Sequence, residues 1–287
     1  MSQSSAESRP SSQISYASKK FFINILPILF SISCIIPLVW LFCSTMKTNS
    51  QFEADVMGLP NAFNLDNYTY VLGTTPIGHY LFNTMRNTVI ALFFVLLLGF
   101  INGYFLSRFR FKGRKFLSAL YLSALFIPVH ALLLPTYLMF SSVHMADQWY
   151  STILPMISLE LTTTIFLVSS YLTTVPKELE EAAAIDGSSF TRTLFRIILP
   201  VCMPVLITAG IISFFHCWNE FSYSLVLLSK EKFYTISLAL TRFKGENRID
   251  YPRMMTAMVI AMTPALLMYV FFSKYIIRGM VAGALKG

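Results

Sequence analysis

The chain has 287 residues, with 22 Lys+Arg against 14 Asp+Glu for a formal charge of +8, and it is 55% hydrophobic and only 13% charged. A soluble domain carries about 25% charged residues and must cover itself with polar groups, so this composition excludes a soluble enzyme, a disordered chain and a collagen-like chain together. Mean hydropathy is +0.61 and the pI is near 9.3; in a chain suited to lipid, basic residues serve orientation, and no nucleic-acid partner is expected.

Residues 1–20 are polar and Ser-rich, end in Lys19-Lys20, and read as a short disordered cytoplasmic tail. The apolar run at 21–43 is too long for the core of a signal peptide, about 7–15 residues, so it reads as an uncleaved spanning helix. Five further runs follow at 87–106, 116–140, 150–172, 201–228 and 254–277. Each approaches the roughly 20 apolar residues that one bilayer crossing needs. The expected fold is an all-α membrane protein of six transmembrane helices in one domain, 21–287, with prolines tolerated where neighbouring helices satisfy the freed carbonyls. Cys34, Cys43, Cys202 and Cys217 all fall within apolar runs and read as small apolar residues. With the N-terminus inside, fourteen Lys and Arg fall on the cytoplasmic side and eight outside, six of those eight in the loop 229–253. The nine-residue loop 107–115, with five positive residues, carries the strongest vote. An even number of spans then places both termini in the cytoplasm of a multi-pass cell-membrane protein.

The segment 173–200 separates two spans yet carries its own structure. Pro176 suits a first helical turn, Glu178, Glu180 and Glu181 suit the positive end of a helix, and Ala182, Ala183 and Ala184 propagate it. Gly187 can end that helix at positive φ, and Ser188 or Ser189 can cap a second one through Phe190, Leu194, Phe195 and Ile198. The product is a helix–Gly turn–helix at the membrane surface, shaped to dock in a cleft of another protein or simply to stabilise the loop.

At this point the residues resemble a family. Glu181-Ala182-Ala183, then Gly187, then Ile197-Ile198-Leu199-Pro200 is similar to the EAA motif of binding-protein-dependent ABC importer permeases, whose MetI-like fold has this six-span layout. Leu65-Asp66-Asn67-Tyr68, Phe82-Asn83-Thr84, Arg108-Phe109-Arg110-Phe111-Lys112-Gly113 and Trp218-Asn219-Glu220-Phe221 extend the resemblance over nearly the whole chain after residue 20. The terminus from Gly279 to Gly287 is similar to that of MalG-type subunits of carbohydrate importers. The resemblance implies one of two permease subunits that pair with each other, with two ATPase subunits and with an extracytoplasmic solute-binding protein. It implies that Glu181, Ala182, Ala183, Asp186 and Gly187 couple to an ATPase, and that Gly283, Lys286 and Gly287, in a tail at 278–287, reach between the ATPase subunits. The chain has no G-x-x-x-x-G-K-[ST] phosphate loop. ATP and Mg would therefore sit on the partner, with no cofactor and no catalytic residue in this chain.

Ionisable groups within spans mark functional positions by default. Glu160 lies mid-span with Thr163 and Thr164 on the same face, as a sugar-hydroxyl acceptor or an interhelical packing bond. Trp218, Asn219 and Glu220 offer a ring face, an amide and a carboxylate to a sugar, or an interfacial anchor. His216 and Glu220 share a face at i, i+4, but no third metal ligand accompanies them. Asn83 and Asn87 flank Arg86 and suit a helix anchor, while 107–115 could also meet anionic lipid. A sugar importer is the leading reading. The same architecture serving a glycerol phosphodiester or an oligopeptide, an intramembrane enzyme and an ion channel are the rivals. The spans carry acids and almost no Lys or Arg, which leans toward a neutral hydroxylated solute.

Overall fold

The computed structural model describes residues 11–243 and 250–284, with side chains over 24–243 and 250–274. Among these residues the regular elements are helical: α1 (Ser11–Ser44), α2 (Asn49–Ala54), α3 (Asp66–Thr74), α4 (Ile77–Arg108), α5 (Arg114–Ala124), α6 (Val129–Ser142), α7 (Ile153–Leu172), α8 (Glu178–Ile185), α9 (Phe190–Thr193), α10 (Leu199–Trp218), α11 (Ser222–Leu227), α12 (Ile236–Ala239) and α13 (Tyr251–Ala284). A π-helical turn at Leu194–Ile198 fuses α9 to α10, giving one rod from Phe190 to Trp218. Five helices are long and apolar enough to cross a bilayer singly, and α5 with α6 forms a sixth candidate bent by 103°.

Contacts between loops show that the chain alternates between two ends of the bundle. Arg108, closing α4, pairs with Glu180 of α8, so the loops after α4 and after α7 share one end. Asp147, after α6, accepts from the amides of Ser229 and Lys230, so the loops after α6 and after α11 share the other. The bent α5–α6 pair therefore carries the chain from one end to the other, and it stands where a single span at 116–140 is expected. Pro128 is the physical cause of the break: it disfavours helix at the residue before it and cannot donate a backbone N–H.

Other boundaries differ for local reasons. Helix α1 starts at Ser11, inside the stretch expected to be a disordered tail; residues 1–10 of that tail lie outside the described residues. The fifth span begins at Phe190 and ends at Trp218, not at 201 and 228. Pro200 and Pro204 lack N–H donors, and the π turn just before them is where the helical ladder adjusts so that it can continue. Helix α13 runs to Ala284, so the tail expected from 278 is helical over most of its length.

The core is the contact of α4 with α7. Gly99 and Gly103 of α4 are four residues apart and face Thr164, Ile165 and Val168 of α7. A Cβ at Gly99 would stand 2.4 Å from Thr164 Cγ2, and one at Gly103 would stand 2.8 Å from Val168 Cβ. Small residues at this spacing let helix backbones approach closely in lipid, where packing replaces the hydrophobic effect as the force between helices. Around that contact Phe100, Tyr104, Val168, Leu172, Leu194, Ile198 and Cys202 bury a continuous apolar layer. By contrast α1 is bare over its apolar window, and α5 buries no residue.

The end opposite α8 is tied down by side chains reaching backbone. Asn67 donates to the carbonyls of Thr45 and Lys47, both at 2.8 Å, so the Asn-Tyr segment clamps the end of α1. Lys47, 2% exposed, donates to the carbonyls of Asp55 and Val56. Asn83 donates to the carbonyls of Lys232 and Tyr234, and Asn87 donates to the Thr152 hydroxyl. The basic loop 229–253 is partly neutralised within the chain, through Lys230–Asp147, Arg242–Glu231 and Arg253–Asp250 ion pairs. Lys244 and Arg248 lie outside the described residues.

Two outcomes follow. Gly103→Leu should push α4 from α7 and cost about 1–3 kcal/mol as overpacking does, read as a lower thermal midpoint of the detergent-purified protein. Burial alone would raise the Asp147 carboxyl, but the Lys230 and Ser229 amides and the Lys230 ammonium outweigh it and hold it below the usual carboxylate range. A depressed folded-state value makes its contribution complete above the ordinary Asp value, and that contribution is lost as pH falls through the folded value. Amide exchange at Ser229 and Lys230, slow near neutrality, should quicken relative to neighbouring amides on acidification below pH ~4, and Asp147→Asn should abolish that step.

Candidate functional site

The surface helix α8 opens with Glu178, Glu180 and Glu181 in its first turn, where the helix dipole favours anions. It stops at Gly187, whose φ of +72° lies in the left-handed region that glycine enters without penalty. The Ser188 amide reaches back to the Ala183 carbonyl and the Gly187 amide to that of Ala184, a Schellman-type closure. Ser189 then caps α9, accepting from the Arg192 amide.

The inner face of α8 is clamped to the bundle. Glu180 Oε1 lies 2.7 Å from Arg108 Nε, and Glu180 Oε2 accepts from the Tyr104 hydroxyl at 3.1 Å. Arg108 Nη2 also donates to the Val175 carbonyl at 2.9 Å. The side chains of Arg108 and Glu180 are 6% and 20% exposed, so the pair is screened little by water. Beside it, Phe190 packs among Tyr104, Phe105 and Phe109 at centroid distances of 6.1, 5.9 and 6.1 Å. The surface helix is thus an extension of α4 and α10, not a free loop.

The outer face of α8 is bare. Glu181, Ala182, Asp186 and Gly187 are all exposed, with Leu179 41% and Ile185 86% exposed beside them. Ala183 departs from its expected place. It is 4% exposed and looks into the chain's own fold, because α8 turns its small residue toward the bundle that holds it. A bulky residue at 183 would therefore disturb this chain before it met a partner. A Cβ at Gly187 meets nothing within 4 Å, so the demand there is on φ and not on space. Sequence reasoning named Glu180 and Arg108 without joining them, and it passed over Tyr104 and Ile185. The signal for the first two was a carboxylate and a guanidinium at the ends of adjoining loops, which only the packing of α4 on α7 brings together.

The residues expected along a pathway divide. Trp218 is 3% exposed, stacks on Phe214 at 5.7 Å and donates its indole N–H to the Ala261 carbonyl at 3.2 Å. Its ring face is therefore not open to a sugar, because the side chain pins α10 to α13. Glu220 accepts from the amides of Tyr223 and Ser224 and from the Ser224 hydroxyl. The helix breaks at Asn219, and the next helix presents donors that this carboxylate caps. Asn219 is exposed. Glu160, with its side chain 9% exposed, lies 2.8 Å from His216 Nδ1, so His216 pairs with Glu160 and not with Glu220. Among the described residues no group of three or more His, Cys, Asp or Glu is placed to hold a metal. Gly283 falls in the last turn of α13; Lys286 and Gly287 lie outside the described residues.

An all-helical, multi-pass membrane protein with a short helix fixed at one end of the bundle is the class these features define. The family model for the binding-protein-dependent transport system inner membrane component matches residues 95–282, and the chain belongs to that family. It is 30% identical over 259 residues to the probable ABC transporter permease protein YurM of Bacillus subtilis, covering 90% of this chain and 86% of that one. It is 28% identical over 272 residues to the trehalose/maltose transport system permease protein MalG of Thermococcus litoralis, covering 94% and 98%. A chain from a bacterial ABC transporter that imports the acidic polysaccharide alginate has the same fold, with a TM-score of 0.80 at 18% identity over 94% of this chain and 99% of that one. The bent third span and the surface helix are thus parts of a permease fold, and the protein is a transporter membrane subunit.

Removing Arg108 leaves the half-buried Glu180 without its cation, and losing one partner of a buried pair costs about 3–5 kcal/mol at full burial, less here. Arg108→Ala should therefore loosen α8 and speed tryptic cleavage at Lys177. Glu181→Ala, on the bare face, should leave that cleavage rate unchanged.

Proposed function

We propose that this chain is one of two permease subunits of an ATP-driven sugar or oligosaccharide importer, and that α8 docks it to an ATPase subunit. The observation that carries the reading is a helix with two unlike faces at one end of the bundle. Its inner face is locked by Arg108, Tyr104 and the Phe190 cluster, and its outer face offers Glu181, Ala182, Ile185, Asp186 and Gly187 to solvent. A helix held so firmly and left so bare is suited to transmit a push. Sugar as the cargo is supported by relatives named for trehalose/maltose and for melibiose/raffinose/stachyose, the second of these 28% identical over 92% of this chain and 96% of its own length.

On this reading Mg-ATP binds and is hydrolysed on the partner. Closure of the ATPase dimer displaces α8, and α4, α7 and α10 follow because the clamp joins them. The spans then rock between inward-open and outward-open states, with a coupling free energy carried through the clamp. The exposed apolar faces of α1, α5 and α6 suit lipid and a second permease subunit. An extracytoplasmic binding protein would deliver the solute at the opposite end, and both termini would be cytoplasmic. Gly283, Lys286 and Gly287 would approach the ATPase pair. Ala183, turned inward, drops from the docking set, and Glu180 joins it as the residue that fixes its base.

A mild-detergent pull-down of the tagged chain should recover an ATPase and a second permease. Glu181→Lys or Gly187→Trp should leave membrane insertion intact while lowering sugar uptake at least about tenfold, the scale of a 1–3 kcal/mol coupling. Normal uptake by either variant would remove the docking assignment.

A further inference from the structure

One stripe along α10 and its C-cap carries three polar residues where lipid would penalise them. Thr208, Ile212, His216 and Asn219 follow one another at helical spacing, and all are at least partly exposed. This stripe is not the apolar face that Leu199, Met203, Leu206 and Gly210 present to α4 and α13. His216 is the most telling residue, with its side chain 65% exposed while its partner Glu160, on α7, is 9% exposed. Glu160 sits seven residues into α7, about 10 Å along the helix at 1.5 Å per residue, inside an apolar run, while His216 lies in the last turn of α10. Imidazole and amide groups facing acyl chains are costly and rare; polar side chains at this depth face a water-filled cavity or another polar group.

The geometry of the pair fixes what His216 offers. His216 Nδ1 lies 2.8 Å from Glu160 Oε1, so one ring nitrogen is committed to the carboxyl group. Nε2 is the ring nitrogen left for a further hydrogen bond, accepting or donating according to the tautomer. Asn219, one turn on, donates its amide to the Phe215 carbonyl and keeps its own oxygen free to accept. Glu160 Oε2 is buried without a hydrogen-bond partner among the described residues, and so is Thr164 Oγ1 one turn further along α7. The Glu160 carboxyl thus bonds His216 alone among the described residues. No Lys or Arg occurs between Arg196 and Lys230 or within α7, so an anionic solute would find no counter-charge here.

We propose that His216, oriented by Glu160, and Asn219 form a hydroxyl-recognition subsite for a neutral sugar on the translocation pathway, near its outer mouth. The proposal rests on the sugar-importer reading and names the chemistry this chain contributes to it. His216 and Asn219 are the contact residues, and Glu160 is a positioning residue that holds the aim of the imidazole.

The test uses the assembled complex in proteoliposomes, with its binding protein, after Cys34, Cys43, Cys202 and Cys217 are replaced by Ala. Ile212→Cys reports on the stripe one turn from His216, and Leu26→Cys, 74% exposed on α1, reports on the apolar exterior. A membrane-impermeant thiosulfonate is the label, and trehalose, maltose, melibiose and raffinose are the probes, with uptake of each measured in parallel. The expected result is labelling at 212 and none at 26, slowed about fivefold by a sugar that the complex imports, the scale of one net hydrogen bond. Adding His216→Ala should remove the protection. Glu160→Gln, which can still bond Nδ1, should keep most of it, and Glu160→Leu should lose it; a merely structural pair would lower the yield of complex and leave protection intact. Silence at 212 like that at 26, or labelling indifferent to an imported sugar, overturns the subsite alone. Failure of the complex to import any of the four overturns the subsite together with the sugar reading, and the uptake assay tells the two failures apart.

Discussion

In lipid nothing squeezes two apolar helices together except their own fit, so the distance between backbones decides what a bundle can hold. Here that distance is set where Gly99 and Gly103 of α4 meet Thr164, Ile165 and Val168 of α7, with no room for a Cβ on either glycine. Both ends of the molecule hang on this contact. At one end α4 and α7 bring Asn87 to Thr152 and place Asn83 under the loop that follows α11. At the other they bring Arg108 within reach of the surface helix after α7. A wider spacing would separate each of these polar pairs by more than a hydrogen bond spans.

The surface helix takes its rigidity from groups half withdrawn from water. An exposed ion pair is worth about 0–1 kcal/mol, and such a pair would not transmit force. Arg108 and Glu180 are largely covered, share a third partner in Tyr104, and adjoin four packed aromatic rings. Moving α8 alone would strand these groups, so α8 and α4 move together at lower cost than apart. The polar stripe on α10 stands at the far end of the same framework, since Glu160 of α7 aims His216. The clamped surface helix and the Glu160–His216 pair are therefore attached to one pair of helices.

Much of this is written in the chain. Runs of about 20 apolar residues give five of the crossings directly. Glu178 to Gly187 spells a helix and its stop, and Gly187 takes the positive φ that its position in the motif demands. The misplacements have causes that act through space. Pro128 marks a break in the third span, but composition cannot give its angle of 103°, since both halves remain apolar. Trp218 and Glu220 look available to a sugar until the break at Asn219 turns one toward α13 and the other onto the next helix. Ala183 has the right size for a docking contact, and its direction is known only once Glu180 fixes the roll of α8. The Glu160–His216 bond joins residues 56 apart in sequence, and its legible sign was a single acid in an apolar run.

The central claim is that α8 and α4 behave as one rigid body while the transporter works. Spin labels at Ile185 on α8 and Leu98 on α4 test it directly, by pulsed electron–electron distance measurement in the assembled complex with and without ATP. The account predicts one narrow distance distribution that does not shift between the two states, while α8 changes its distance from the second permease. A distribution between Ile185 and Leu98 that broadens or moves on ATP binding would contradict it, since the surface helix would then be sliding on the bundle instead of carrying it.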